Sequence, residues 1–190
     1  MDIRHFFKIL PTINPVEPCI IPNEVMLCDR QYKVFVDGSA FNNGKKNCYG
    51  GVGVFFADND SRNVSMKITD KKVSNNVGEI KACIKAIHII VNNDSKPGLI
   101  SIYSDSEYTI KSITKWAKLW EFNGWKRRGN NEIKNKELII ELYNLYKKYK
   151  IKFIHVRSHQ TEPQLKTTED HFRWYGNMMA DKLARQAVGN

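Results

Sequence analysis

The sequence predicts an α/β fold, a mixed five-stranded sheet (antiparallel meander plus parallel strands) flanked by helices. Three observations carry this. Runs of alternating or continuous apolar residues, separated by short polar turns, open the ordered region. A stretch with apolar residues every three to four positions follows. The two kinds of pattern then alternate, as they do where helices cross over between parallel strands.

Residues 1–30 contain four of the six prolines, Pro11, Pro15, Pro18 and Pro22, and no lasting periodicity. They read as an irregular N-terminal extension to a domain over residues 31–190. Residues 32–37 are a strand followed by the polar turn Asn42-Asn43-Gly44-Lys45-Lys46, and residues 50–57 are a second strand. Asn59-Asp60 marks the next turn, and residues 62–68 alternate as a third strand. Turns this short imply a meander. Residues 77–91 carry apolar side chains at 80, 83, 84, 87 and 90 or 91, a helical period. A fourth strand spans 99–104, and a second helix spans 106–120 with the stripe Tyr108, Ile110, Ile113, Trp116, Ala117 and Trp120. Residues 136–148 form another helix, 151–156 a fifth strand and 176–187 a terminal helix.

Composition narrows the partners. A net charge of +10 in 190 residues points to a polyanion, nucleic acid ahead of a membrane surface, since no amphipathic anchor helix is evident. No apolar stretch approaches a membrane span, and the N-terminus is too short and broken for a signal peptide, so an intracellular protein is expected. Cys19, Cys28, Cys48 and Cys83 lack CxxC spacing and read as reduced thiols rather than zinc ligands.

Four acids stand in contexts that suit a divalent-metal site. Asp37 ends an apolar run and Asp105 follows another, and in such sheets ligands gather at the carboxyl ends of strands. Glu79 and Asp181 belong to helical patterns. Converging carboxylates repel one another, and a pair of magnesium ions is their natural compensation. Each acid also has an ordinary reading: an Asp-Gly turn, a first-turn Glu79 favoured by the helix dipole, an Asp181–Arg185 pair at i,i+4.

Phe35-Val36-Asp37-Gly38-Ser39, Ser74-Asn75-Asn76-Val77-Gly78-Glu79, Tyr103-Ser104-Asp105-Ser106-Glu107-Tyr108, and Gly176-Asn177 leading to Asp181-Lys182-Leu183-Ala184 together resemble the successive motifs of type 1 ribonuclease H. The resemblance implies that fold, with Asp37, Glu79, Asp105 and Asp181 as metal-binding acids. It implies two Mg2+ ions, with Mn2+ able to substitute, and hydrolysis of the RNA strand of RNA/DNA hybrids to 5′-phosphate and 3′-hydroxyl ends. His159 matches the family's mobile-loop histidine, suited by its titration range to shuttle a proton or help release product.

Hybrid duplexes are recognised by shape and by the 2′-hydroxyl. Asn75 and Asn76 resemble the family's residues that reach sugars in the minor groove, and Asn42 or Asn43 extends the same surface. One of Asn75 and Asn76 also suits a helix N-cap. Residues 116–128, with Trp116, Trp120 and Trp125 among lysines and arginines, resemble the basic protrusion that grips the DNA strand, although Trp116 and Trp120 equally suit a core. Lys72, Ser74 and Asn135 resemble a DNA phosphate pocket, with lysine as a point charge where arginine is common. A monomer is expected.

The chain departs from the pattern twice. The connection over 160–175 is longer than the family's and is expected to be a loop beside the site, and Gly78 stands where a helix start gains nothing from glycine. Two rival readings are a resolvase- or integrase-like DNA nuclease on the same fold and a non-catalytic hybrid-binding module. The first usually lacks the protrusion and the paired asparagines; the second is expected to lose one of the four acids.

Overall fold

A computed structural model describes residues 30–42, 45, 47–69, 73–158 and 167–189. The strands are β1 (Gln31–Phe41), β2 (Tyr49–Phe55), β3 (Val64–Ile68), β4 (Leu99–Ser104) and β5 (Ile151–His155), in the sheet order β3-β2-β1-β4-β5. β1, β2 and β3 pair antiparallel, while β1–β4 and β4–β5 are parallel, as the alternation of patterns predicts. The helices are α1 (Asn75–Asn93), α2 (Glu107–Lys111), α3 (Ala117–Phe122), α4 (Lys136–Lys148) and α5 (Thr168–Gln186). Among the described residues no helix is long and apolar enough to cross a membrane.

The pleat of β1 explains why its middle is buried without a break. Successive side chains point to opposite faces, and both faces are covered. Val34 and Val36 join Ile80, Ile87, Ile100 and Ile102 in the larger core under α1 and α4. Phe35 joins Phe55, Tyr103, Val156 and Ala180 in a smaller core under α5. Each fully buried aliphatic or aromatic side chain contributes about 1.5–3 kcal/mol by leaving water.

Three elements differ from the sequence-based expectation. β1 runs on to Phe41, so Asp37 lies within the strand rather than at its end. The expected single helix over 106–120 is broken by a π-helical segment, Ser112–Trp116, between α2 and α3. Its wider turn leaves Ile113 and Ala117 in the core but turns Trp116 outward, where it is 38% exposed. α5 begins at Thr168 rather than Gly176, so the second half of the expected long loop is helix. Thr167 caps it, its hydroxyl accepting from the Asp170 N–H at 3.0 Å, and Glu169 and Asp170 complement the helix dipole.

Gly78 is explained by what faces it. A Cβ on Gly38 would lie 2.1 Å from the Gly78 carbonyl carbon, and one on Gly78 would lie 2.9 Å from the Gly38 Cα. Backbone therefore meets backbone where α1 starts, which brings Glu79 to the strand that carries Asp37. Gly53, paired with Asp37, receives α5 in the same way, with the Ala180 carbonyl oxygen 2.0 Å from where its Cβ would be. We predict that Gly38→Ala, which cannot relax against main chain, lowers stability by about 1–3 kcal/mol or more in denaturant titration. An unchanged midpoint would show that α1 can move away without cost.

Candidate active site

The four acids come from four elements onto one open cleft of ≈ 580 Å³. β1 and β4 are in register through Phe35 and Tyr103, so Asp37 and Asp105, each two residues further on, end side by side. Glu79 enters from the first turns of α1 and Asp181 from α5. Among the described residues these side chains do not close into a ready cage of three or more ligands. They line the cleft instead.

Their environments differ. Asp37 is buried, and the Gly38 N–H donates to its Oδ1 at 2.8 Å. Burial, then repulsion from Asp105 and Asp181, pushes its carboxyl up to about 8, with the Gly38 hydrogen bond opposing and Glu79 adding a smaller repulsion. Glu79 is also raised, chiefly by burial; a hydrogen bond from Ser106 opposes the shift and Asp105 adds to it. The Ser106 hydroxyl that donates to Glu79 Oε2 also accepts from the Thr109 N–H, capping α2 and fixing the carboxylate to a helix start. Asp181 accepts from Arg185 Nε at 2.9 Å, the i,i+4 pair seen as an alternative in the sequence.

Asn75 lines the same cleft, and its Oδ1 accepts from the Ala40 N–H at 2.9 Å, tying the start of α1 to the end of β1. The helix cap falls to neither asparagine: Ser74 takes it, accepting from the Val77 N–H. Asn76, Ser74 and Asn135 line a second groove of ≈ 1160 Å³, together with Lys81, Trp125, Lys126, Lys134 and Lys136. Trp116 and Trp120 line neither depression. They meet each other tilted at 49°, with 5.6 Å between ring centroids, and Trp116 meets Tyr108 edge-on at 6.3 Å. Asn43, Lys72 and His159, and all of the N-terminal extension but Arg30, lie outside the described residues.

The cleft also holds residues that sequence reasoning passed over: Arg157, Trp174, Asn177 and Met178. Asn177 is 7% exposed, and its Oδ1 is buried without a hydrogen-bond partner among the described residues. An orphaned acceptor beside carboxylates awaits a donor. A helical spacing of four and seven residues from Asp181 would have pointed to Asn177 and Trp174.

The RNase H family model matches residues 29–189. A ribonuclease H of Schizosaccharomyces pombe is 34% identical over 161 residues, 85% of this chain and 54% of that protein, so the chain spans about half the length of this relative. A ribonuclease H of Clostridium botulinum is 31% identical over 156 residues, 82% of this chain and 93% of that protein. Among solved structures, a type 1 RNase H with a type 2 active-site motif aligns at a TM-score of 0.64 and 22% identity, covering 84% of this chain and 72% of that one. A second, LC11-RNase H1 in complex with an RNA/DNA hybrid, aligns at 0.50 and 18% identity over 82% of this chain and 95% of that one. Both share the fold.

Proposed function

Because this chain belongs to the RNase H family, we propose that it cleaves the RNA strand of RNA/DNA hybrids endonucleolytically, with divalent metal, leaving 5′-phosphate and 3′-hydroxyl ends. The observation that carries the reading is the set of four carboxylates from four elements lining one cleft, in a chain of net charge +10. A cleft this acidic in a protein this basic is suited to metal-assisted chemistry on a polyanion.

The residues present fit such an ion. The donors are carboxylate oxygens, which suit a hard cation, and the orphaned Asn177 Oδ1 could accept from water held in the cleft. Asp37, Glu79, Asp105 and Asp181 would hold two Mg2+ ions, which activate water and stabilise the leaving oxygen when bound. The chain itself positions. Ser106 holds Glu79, the register of β1 and β4 pairs Asp37 with Asp105, and Asn75 is fixed to β1 where it can meet a 2′-hydroxyl. His159 is proposed to move a proton at the cleft. The second groove, with Ser74, Asn76 and Asn135 among lysines and with Lys72 near in sequence, is proposed to take the DNA strand, aided by Trp116 and Trp120 on the protrusion.

The test uses labelled RNA/DNA hybrid, double-stranded RNA and double-stranded DNA, each with magnesium or with chelator. Internal cleavage confined to the RNA of the hybrid, and abolished by chelator, is expected. Equal cutting of double-stranded DNA would reject the reading in favour of a DNA nuclease on the same fold.

A further inference from the structure

The two extra turns at the start of α5 are anchored on the sheet. Phe172 meets Phe35 and Tyr103 edge-on at 5.0 and 5.6 Å. Tyr175 packs edge-on against Phe55 at 6.0 Å, and its hydroxyl donates to Asp58 Oδ1 at 2.7 Å. Both belong to the packing around the smaller core, whereas Trp174 belongs to neither core cluster and lines the catalytic cleft. His171 rests against Trp174 at 5.5 Å and stacks on Tyr175, so the indole is held by a pinned helical turn.

Helical geometry places Trp174 on the working face. Residues 174, 177, 178, 181 and 185 fall within roughly 100° of arc at 3.6 residues per turn, and all five line the cleft. Arg157, just beyond the end of β5, lines it as well and is exposed. Asn75 enters from α1, on the other side of β1 from α5. A strand lying over the four acids would thus meet Asn75 on one flank and Trp174 with Arg157 on another.

We propose that Trp174 and Arg157 form a second grip on the RNA strand, beyond the proposed cleavage of hybrids on which this inference rests. The indole packs against a sugar displaced from the scissile phosphate, and the guanidinium meets a phosphate on the same side. Seven residues of helix separate Trp174 from Asp181, roughly 10 Å, or about three base steps at the axial rise of one strand. The sugar contacted is therefore about three nucleotides from the cut.

Trp174→Ala is expected to raise KM for a long hybrid about tenfold, the scale of an aromatic contact to a nucleotide, with kcat within about twofold. Trp174→Phe should recover most of the loss. Arg157→Gln should weaken binding and lower the slope of log KM against log salt by about one. The decisive measurement shortens the hybrid one base pair at a time from each end. In the wild type, removing the contacted nucleotide on one side should raise KM about tenfold; in Trp174→Ala the same removal should change little, since the two losses share one contact. A helix-supporting role alone would lower thermal stability without this length dependence. Should the alanine variant not fold, Trp174→Leu keeps bulk without the flat face. Wild-type cleavage of hybrid with KM unchanged in both Trp174→Ala and Arg157→Gln, or equal truncation penalties in wild type and variant, overturns the grip alone. Failure of the wild type to cleave hybrid overturns the functional reading.

Discussion

Asp105→Asn is expected to lower hydrolysis of an RNA/DNA hybrid on the order of a thousandfold or more while leaving hybrid binding intact. The side chain keeps its size, so β4 and the start of α2 should not move. What is lost is a formal charge beside Asp37, at the point where the parallel register ends. Binding should hold or tighten, because the substrate is itself anionic and the substitution removes repulsion. Single-turnover cleavage in magnesium and hybrid affinity in chelator measure the two halves separately. Full cleavage by the variant would remove Asp105 from the chemistry.

Asp37→Asn is expected to abolish cleavage and yet stabilise the metal-free protein. The native carboxyl is raised to about 8 from an ordinary value of 3.8. A group raised in the folded state contributes its full stabilising share below pH 4 and loses it as pH climbs towards 8, because the unfolded chain releases the proton first. Metal-free wild type should therefore lose stability across that window, by an amount on the order of a few kcal/mol, and the asparagine variant should lose much less. Added divalent cation should raise the wild-type melting temperature near pH 8 by relieving the same repulsion. Identical pH profiles for the two proteins would show that Asp37 ionises without cost in the fold.

Much of this architecture was legible in the sequence, for a plain reason. The order of elements follows from period-two and period-3.6 patterns, which report burial on one or two faces, and the strands of β1 and β4 are buried on both. The four acids were legible because each sits in a short motif whose neighbours are local. What was not legible depends on contacts between distant segments. Gly78 looks like a poor helix starter until Gly38 is seen against it. Trp116 looks like part of an apolar stripe until the π-helical turn rotates it outward. The start of α5 did leave a local signal, Thr167 followed by Glu169 and Asp170, but Gly176 and the aromatic run before it made a later start look natural. Trp174 was hidden by that error, since a residue assigned to a loop has no helical face to share with Asp181.

The π-helical turn at Ser112–Trp116 has a consequence for how the basic arm is aimed. Such a turn accommodates about one residue more than an α-helical one, so its ends are out of phase by about 100° and about 1.5 Å. Deleting a single residue there would let the helix close regularly, and α3 with the lysine- and arginine-rich segment after it would swing around the helix axis as a body. Composition sets the charge of that arm, whereas segment length sets its bearing. A one-residue insertion or deletion, invisible to any count of lysines, is thus enough to redirect it relative to the sheet and the cleft.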